Sequence, residues 1–170
     1  FTAAGLSYCY LVQALRELGL EGRFPVLKWG VAYPLDEALL TTFAGRVDHL
    51  IVIEEKREFL ETQIVRALQR AHQEGRLARP PAVWGKRFPN EKEGIPSFRG
   101  LNSSLLVERL APVLETLAPA IYGSVGLIAG AAVNVVRTAG ERKISIPIRT
   151  PTFCPGCPHR DSSTVTKAIK

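Results

Sequence analysis

The chain has 170 residues, 46% of them hydrophobic and 22% charged, and carries a formal net charge of +6. This composition is typical of a globular protein and excludes the disordered and fibrous classes. The positive charge does not indicate a nucleic-acid partner, because the basic residues concentrated in 137–170 are spread out and are not interleaved with aromatic residues.

Other features of the sequence bear on whether the chain is part of a longer protein, on its cellular compartment and on membrane binding. The sequence contains no Met and opens on residues typical of a strand end, so we expect a piece of a longer polypeptide. Three cysteines and no signal peptide argue against a secreted disulfide framework and favour the reducing cytoplasm. The apolar run 118–136 contains Pro119, Asn134 and three glycines, so we expect a buried or interface helix there and no membrane partner.

Strands and helices are predicted to alternate in the first half of the chain. Phe1–Ala4 is typical of a strand end, and Ser7 is expected to cap a helix that runs to Gly19. A second short strand is predicted at Pro25–Trp29, and Asp36 is expected to begin the next helix.

The clearest strand is predicted at His49–Ile53, a continuous apolar run of the kind that is covered on both faces in a parallel sheet. It places Glu54 and Glu55 at its carboxyl end, where open α/β sheets usually present ligand groups. These two acids are therefore candidates for a subunit or ligand contact, and a solvated turn is the alternative. A long helix is predicted over 58–74, and its inward apolar face is expected to consist of Phe59, Leu60, Ile64, Val65 and Leu68.

This alternation predicts right-handed crossovers and an α/β fold, a small, mostly parallel sheet in three layers over residues 1–84. Ala82–Trp84 is compatible with a last short strand. Residues 85–150 are predicted to form a linker, exposed over 85–102 and then helical, with Asn102 as a helix cap and Pro112 bending or interrupting the helix. Residues 151–170 are expected to begin another domain.

The Cys154-Pro-Gly-Cys157 motif brings two thiols close enough to chelate one soft metal centre. A c-type haem site is excluded because Pro158, and not His, follows Cys157. A structural zinc site needs more ligands than this motif supplies. A free dithiol at the start of a helix remains open, as does an iron–sulfur cluster whose other ligands lie beyond Lys170.

A family resemblance adds to this interpretation. The run from Pro151 to Arg160 resembles the start of the thiamine-diphosphate domain of indolepyruvate:ferredoxin oxidoreductases. Upstream, Leu27–Leu35 and Val47–Lys56 resemble the transketolase C-terminal-like domain that precedes it in those enzymes, and the order of the pieces is the same. The similarity covers residues 1–75 and 145–165.

The resemblance implies an enzyme that oxidatively decarboxylates aryl 2-oxoacids on thiamine diphosphate with Mg²⁺, and that passes electrons through iron–sulfur clusters to ferredoxin. It transfers the acyl group to coenzyme A. In the wider family a motif of this type binds a 4Fe-4S cluster, which would make Cys154 and Cys157 ligands.

No catalytic residue and no complete cofactor site is expected within this chain, because it lacks the Gly-Asp-Gly and Asn-Asn pair of a thiamine-diphosphate site. We therefore expect a structural domain that helps to hold a homodimer, with the Glu54–Glu55 turn as the contact. The competing hypothesis is a non-catalytic interaction module whose Cys pair is a redox or zinc clip.

Overall fold

The computed structural model describes residues 1–98, 100–142, 147 and 156–168. Within them, four short strands form one parallel sheet in the order β2-β1-β3-β4, and the chain also forms seven helices. The strands are β1 Thr2–Ala4, β2 Leu27–Trp29, β3 His49–Ile53 and β4 Ala82–Trp84. The helices are α1 Gly5–Glu17, α2 Glu37–Ala44, α3 Phe59–Gln73, α4 Ser103–Leu117, α5 Pro119–Gly123, α6 Gly126–Glu141 and α7 Pro158–Ala168.

The two faces of the sheet are covered by different helices, as the apolar run of β3 predicts. Successive side chains of a strand point to opposite faces. Leu50 and Val52 accordingly belong to the core formed with α2 and α3, whereas Ile51 and Ile53 belong to the core formed with α1 and α4. The result is the predicted three-layer α/β arrangement.

The strand order creates a switch point between β1 and β3. The chain moves from β1 to its neighbour β2, and then passes to the other side of β1 to form β3. In open α/β sheets the carboxyl ends of the strands at such a reversal are the usual place for a binding site. The turn after β3 lies at this edge.

Two helix caps are confirmed and one is wrong. The Asp36 carboxylate accepts a hydrogen bond of 2.9 Å from the backbone N–H of Leu39, and the Asn102 side chain accepts one of 2.8 Å from Leu105. Ser7, in contrast, lies inside α1, which begins at Gly5. Gly5 has a φ of +52°, a conformation that glycine adopts at little cost, so the chain passes directly from β1 into the helix.

The segment 85–102 is less exposed than predicted. Phe88, Ile95 and Leu101 are buried in the same core as α1 and α4. Pro112 does not interrupt α4, because the residues around it, such as Leu110 and Leu114, are buried and hold both halves of the helix in that core. The described part of the predicted linker therefore adds to the core of the α/β unit.

The apolar run 118–136 forms α5 and most of α6. No helix in the described part of the chain is both long and apolar enough to cross a membrane. One side of α6 packs against α4 and α1, with Ala129 fully buried. The proposed extended connector at 144–148 lies outside the described residues, apart from Pro147.

Candidate functional site at the carboxyl end of the sheet

Glu54, the first residue after β3, is buried, and its side chain points toward the first turn of α3. Its side-chain oxygens accept three backbone hydrogen bonds from the first turn of α3: 3.1 Å from Phe59, 2.7 Å from Leu60 and 3.0 Å from Glu61. These N–H groups have no partner within the helix, and the positive end of the helix dipole favours a carboxylate. Glu54 therefore caps α3 from a distance and joins the helix to the end of β3.

A second set of polar contacts joins this turn to the segment after β4. The backbone N–H of Lys86 donates to Glu61 Oε2 at 2.9 Å, and the Lys86 ammonium donates to the Glu54 carbonyl at 2.9 Å. Partial burial raises the pKa of the Glu61 carboxyl and lowers the pKa of the Lys86 ammonium. These charged groups therefore hold two loops together at the edge of the sheet.

Gly85 leaves room at this junction for the end of the Glu61 side chain, whose carboxylate occupies the space where a Cβ of residue 85 would lie. The backbone of Gly94 lies directly against the backbone of Gly85 and Lys86. A Cβ on Gly94 would overlap the Gly85 carbonyl and the Lys86 backbone. The segment 85–95 is folded back on itself, since Ile95 donates to the Gly85 carbonyl at 2.8 Å.

The solvent-facing surface at the carboxyl ends of the strands contains exposed apolar side chains. Val31, Tyr33 and Phe59, here called the carboxyl-edge patch, are 63%, 71% and 56% exposed, and the rings of Tyr33 and Phe59 lie 6.4 Å apart. Gln63 donates to the Ala32 carbonyl at 3.2 Å and so ties the loop that carries Val31 and Tyr33 to α3. An exposed group of apolar side chains such as this one is typical of a surface that binds another protein surface.

The structure separates the two predicted glutamates. Glu55 is exposed, next to the patch in sequence, whereas the carboxylate of Glu54 is already fully engaged inside the chain. The subunit contact assigned to this pair stays a prediction, and Glu55 is the member that is accessible for it.

The predicted metal ligands are only partly covered. Cys154 lies outside the described residues, and Cys157 is half-buried immediately before α7, with its carbonyl accepting a 3.0 Å hydrogen bond from the Arg160 backbone. Among the described residues, no group of three or more His, Cys, Asp and Glu side chains is placed to hold a metal ion. The assignment of the Cys pair to a cluster stays a prediction.

The sequence reasoning missed several residues of this site. Phe59 and Val65 were predicted to face inward, and both are largely exposed, because the buried side of α3 is formed by Leu60, Ile64 and Leu68 with two alanines. The hydrogen bond between Lys86 and Glu61 joins residues 25 positions apart, and no local sequence pattern predicts it.

Comparison with known proteins decides the family. The family profile described as "Indolepyruvate oxidoreductase domain" matches residues 1–120, which include the whole sheet and α1–α4. The chain belongs to this family. The matched region contains the carboxyl-edge patch, the Glu54 cap and the Glu61–Lys86 junction.

Individual relatives extend the similarity beyond the matched domain. The chain is 30% identical over 161 residues to indolepyruvate oxidoreductase subunit IorA of Archaeoglobus fulgidus, and 27% identical over 167 residues to that of Thermococcus kodakarensis. For Methanothermobacter thermautotrophicus IorA the identity is 28% over 161 residues. These alignments cover 93–94% of this chain but only 21% of each relative, so the chain spans about a fifth of their length. No solved structure gives a significant match.

Proposed function

We propose that this chain is an assembly domain of an enzyme that oxidatively decarboxylates aryl 2-oxoacids of the indolepyruvate type to acyl-coenzyme A, with ferredoxin as electron acceptor. The observation that carries the proposal is the family match over residues 1–120, supported by the IorA relatives along nearly the whole chain. The whole enzyme is a cytoplasmic homodimer with neither nucleic acid nor membrane as a partner.

The whole enzyme uses thiamine diphosphate with Mg²⁺ and a 4Fe-4S cluster, and this chain supplies only part of what they need. A 4Fe-4S cluster takes four thiolates, and the motif here offers two, Cys154 and Cys157. The chain also lacks the Gly-Asp-Gly and Asn-Asn pair expected to hold magnesium and diphosphate. We therefore assign no step of the reaction to residues of this chain.

The role left to the domain is to bind its neighbours. The Glu54 cap and the Glu61–Lys86 junction fix the backbone around the carboxyl-edge patch, so that the patch presents a preformed surface. Preorganised surfaces lose less conformational entropy when they bind. We propose that this patch, together with the exposed Glu55 four residues before Phe59 in the sequence, contacts the other subunit of the homodimer.

Catalysis by the intact polypeptide tests the assignment. The purified protein is supplied with coenzyme A, thiamine diphosphate, Mg²⁺ and ferredoxin, and the reduction of ferredoxin is followed with indolepyruvate, phenylpyruvate or pyruvate as substrate. We expect reduction with the two aryl substrates and much less with pyruvate. Absence of reduction with any 2-oxoacid, together with bound zinc in place of iron, would instead support the interaction module.

The assignment of the cofactor to other parts of the enzyme has its own test. Isothermal titration of this 170-residue chain with thiamine diphosphate and Mg²⁺ should give no binding heat above dilution. Stoichiometric binding would show that the chain holds a cofactor site and would overturn this part of the proposal.

A further inference from the structure

The outward side of α6 is apolar and unusually exposed. Leu127 and Val135 are 93% and 67% exposed, and Ala131 lies between them on the same side of the helix. We call Leu127, Ile128, Ala131 and Val135 the α6 outer face. It borders a groove of about 690 Å³ that is also lined by Glu17 and Ser104. From Gly126 to Val136 the helix carries no charged residue.

The helix that carries this face is anchored to the domain. Val125 and Ala129 are buried against the core that includes α1 and α4. Ile128 contacts Gly19 at the end of α1 so closely that a Cβ on this glycine would lie 3.1 Å from Ile128 Cγ2. The α6 outer face is therefore held in a defined position.

We propose that an uncharged apolar helix from elsewhere in the same polypeptide, outside these 170 residues, packs on the α6 outer face. This inference rests on the proposed function, in which the chain is one domain of a larger enzyme. The IorA relatives are about five times as long as this chain, so a whole enzyme of that size has ample further sequence to supply such a helix.

The size of the face favours this occupant over a second copy of the chain. From Leu127 to Val135 the α6 outer face is about 12 Å long, and packed helices lie about 8–10 Å apart, so the contact strip measures roughly 100–120 Å² per side. A standard interface between separate proteins needs about 800 Å² per partner. A segment of the same polypeptide binds at a high effective concentration and can be held by a smaller area.

The composition of the face also defines the chemistry of the occupant. A negatively charged side chain packed on Leu127 and Val135 would lose its hydration and would also lie near the Glu17 carboxylate that lines the groove, which disfavours acidic segments most strongly. Gly130 and Ala131 are small and leave room for a helix to approach closely. Aliphatic and small residues at helical spacing are therefore expected in the occupant.

Hydroxyl-radical footprinting of the intact polypeptide tests the inference. The oxidation rate of Leu127 in the native protein is divided by its rate in the same protein unfolded in urea. We expect protection of at least about fivefold, since a packed interface excludes water. The protection should not change over about a hundredfold range of protein concentration, because intrachain binding does not depend on concentration.

Other outcomes contradict the inference. A native rate close to the unfolded rate would show an uncovered face, and protection that falls on dilution would show a second copy as the occupant. A variant gives a second measurement: Leu127→Glu should raise the oxidation of Val135 at least about threefold by displacing the occupant. The matched change Val65→Glu, on α3, should leave Val135 oxidation unchanged. Equal effects of the two variants would count against the inference.

The same samples separate this inference from the proposed function. If Leu127 is protected but the protein reduces no ferredoxin with any aryl 2-oxoacid, the docking surface stands and the enzyme assignment fails. If the enzyme is active and Leu127 is unprotected, the assignment stands and the docking surface fails.

Discussion

Oε2 of Glu54 accepts a 2.7 Å hydrogen bond from the backbone N–H of Leu60. This contact joins the carboxyl end of β3 to the first turn of α3, across a turn that also contains Lys56, whose φ is +62°. The buried carboxylate thus sets the start of the helix that carries Phe59 to the surface. The cap, the turn and the carboxyl-edge patch form one structural unit.

The cap makes the first prediction. Glu54→Ala should lower the free energy of unfolding by about 2 kcal/mol, because three helix N–H groups lose a charged acceptor and one of them, that of Leu60, is buried away from solvent. Urea unfolding of the chain measures the loss. The neighbouring change Glu55→Ala, at an exposed position, should cost less than about 0.5 kcal/mol. Equal losses for the two variants would show that the cap contributes nothing specific.

Glu61 makes the stability depend on pH. Because burial raises the pKa of its carboxyl above the ordinary value of 4.5, the folded chain binds more protons than the unfolded chain just above that pH. The contribution of Glu61 to the free energy of unfolding therefore falls as the pH rises through this interval.

Glu61→Gln removes the titration and keeps an oxygen that can accept from Lys86. The stability of this variant relative to the native chain should improve as the pH rises from about 4 to about 7, in urea unfolding at several pH values. Glu55→Gln is the matched exposed control. A relative stability of Glu61→Gln that stays flat or declines with pH would contradict the burial argument.

The two glycines at the junction, Gly85 and Gly94, should differ in how well they tolerate substitution by alanine. Gly94→Ala places a methyl group against the fixed backbone of Gly85 and Lys86, and overpacking of this kind costs about 1–3 kcal/mol. Gly85→Ala meets only the end of the flexible Glu61 side chain, which can move away at the cost of one hydrogen bond, about 1 kcal/mol. Thermal unfolding should rank Gly94→Ala as the more damaging change. The reverse order would mean that the junction is less rigid than described.

The Cys pair is tested in the intact enzyme. Cys157→Ser should lower the bound iron and acid-labile sulfide, because a hydroxyl replaces one of the thiolates that a cluster requires. Cys9→Ser, at an exposed position on α1, is the matched control and should retain both. If iron and sulfide are unchanged in Cys157→Ser, this residue is not a cluster ligand.

Local patterns predicted much of this fold because they concern neighbouring residues. The apolar run of β3 and the caps Asp36 and Asn102 depend on contacts within a few positions, and all three were found. The predicted cap at Ser7 was wrong because the same local rule does not consider that Gly5 can adopt a positive φ. The helix therefore begins at Gly5, two residues before Ser7.

The burial of Glu54 was within reach of the same reasoning. The alternation of β3 places residue 54 on the side of Leu50 and Val52, which is the side covered by α3. Carrying the count one residue past the strand would have directed Glu54 toward the start of that helix and Glu55 away from it.

The rest of the site depends on tertiary structure. Glu61 meets Lys86 only because β4 lies beside β3, and the Glu61 carboxylate occupies the space beside residue 85 only because that residue has no Cβ. Phe59 is exposed because α3 turns a different side toward the sheet. Ala67 and Ala71 belong to that buried side of the helix. Local sequence patterns do not determine these contacts between residues that are distant in the sequence.

The central claim is that the carboxyl-edge patch holds this domain in an assembled enzyme. The most direct measurement is sedimentation velocity of the intact polypeptide with the double change Tyr33→Asp and Glu55→Lys. Glu115→Lys, at an exposed position on α4, is the control. Both changed side chains are exposed, so the domain itself should keep its fold and its circular dichroism. We predict that the double variant sediments as the monomer and loses aryl 2-oxoacid-dependent ferredoxin reduction, while the control stays dimeric and active. A double variant that remains dimeric and fully active would contradict the account.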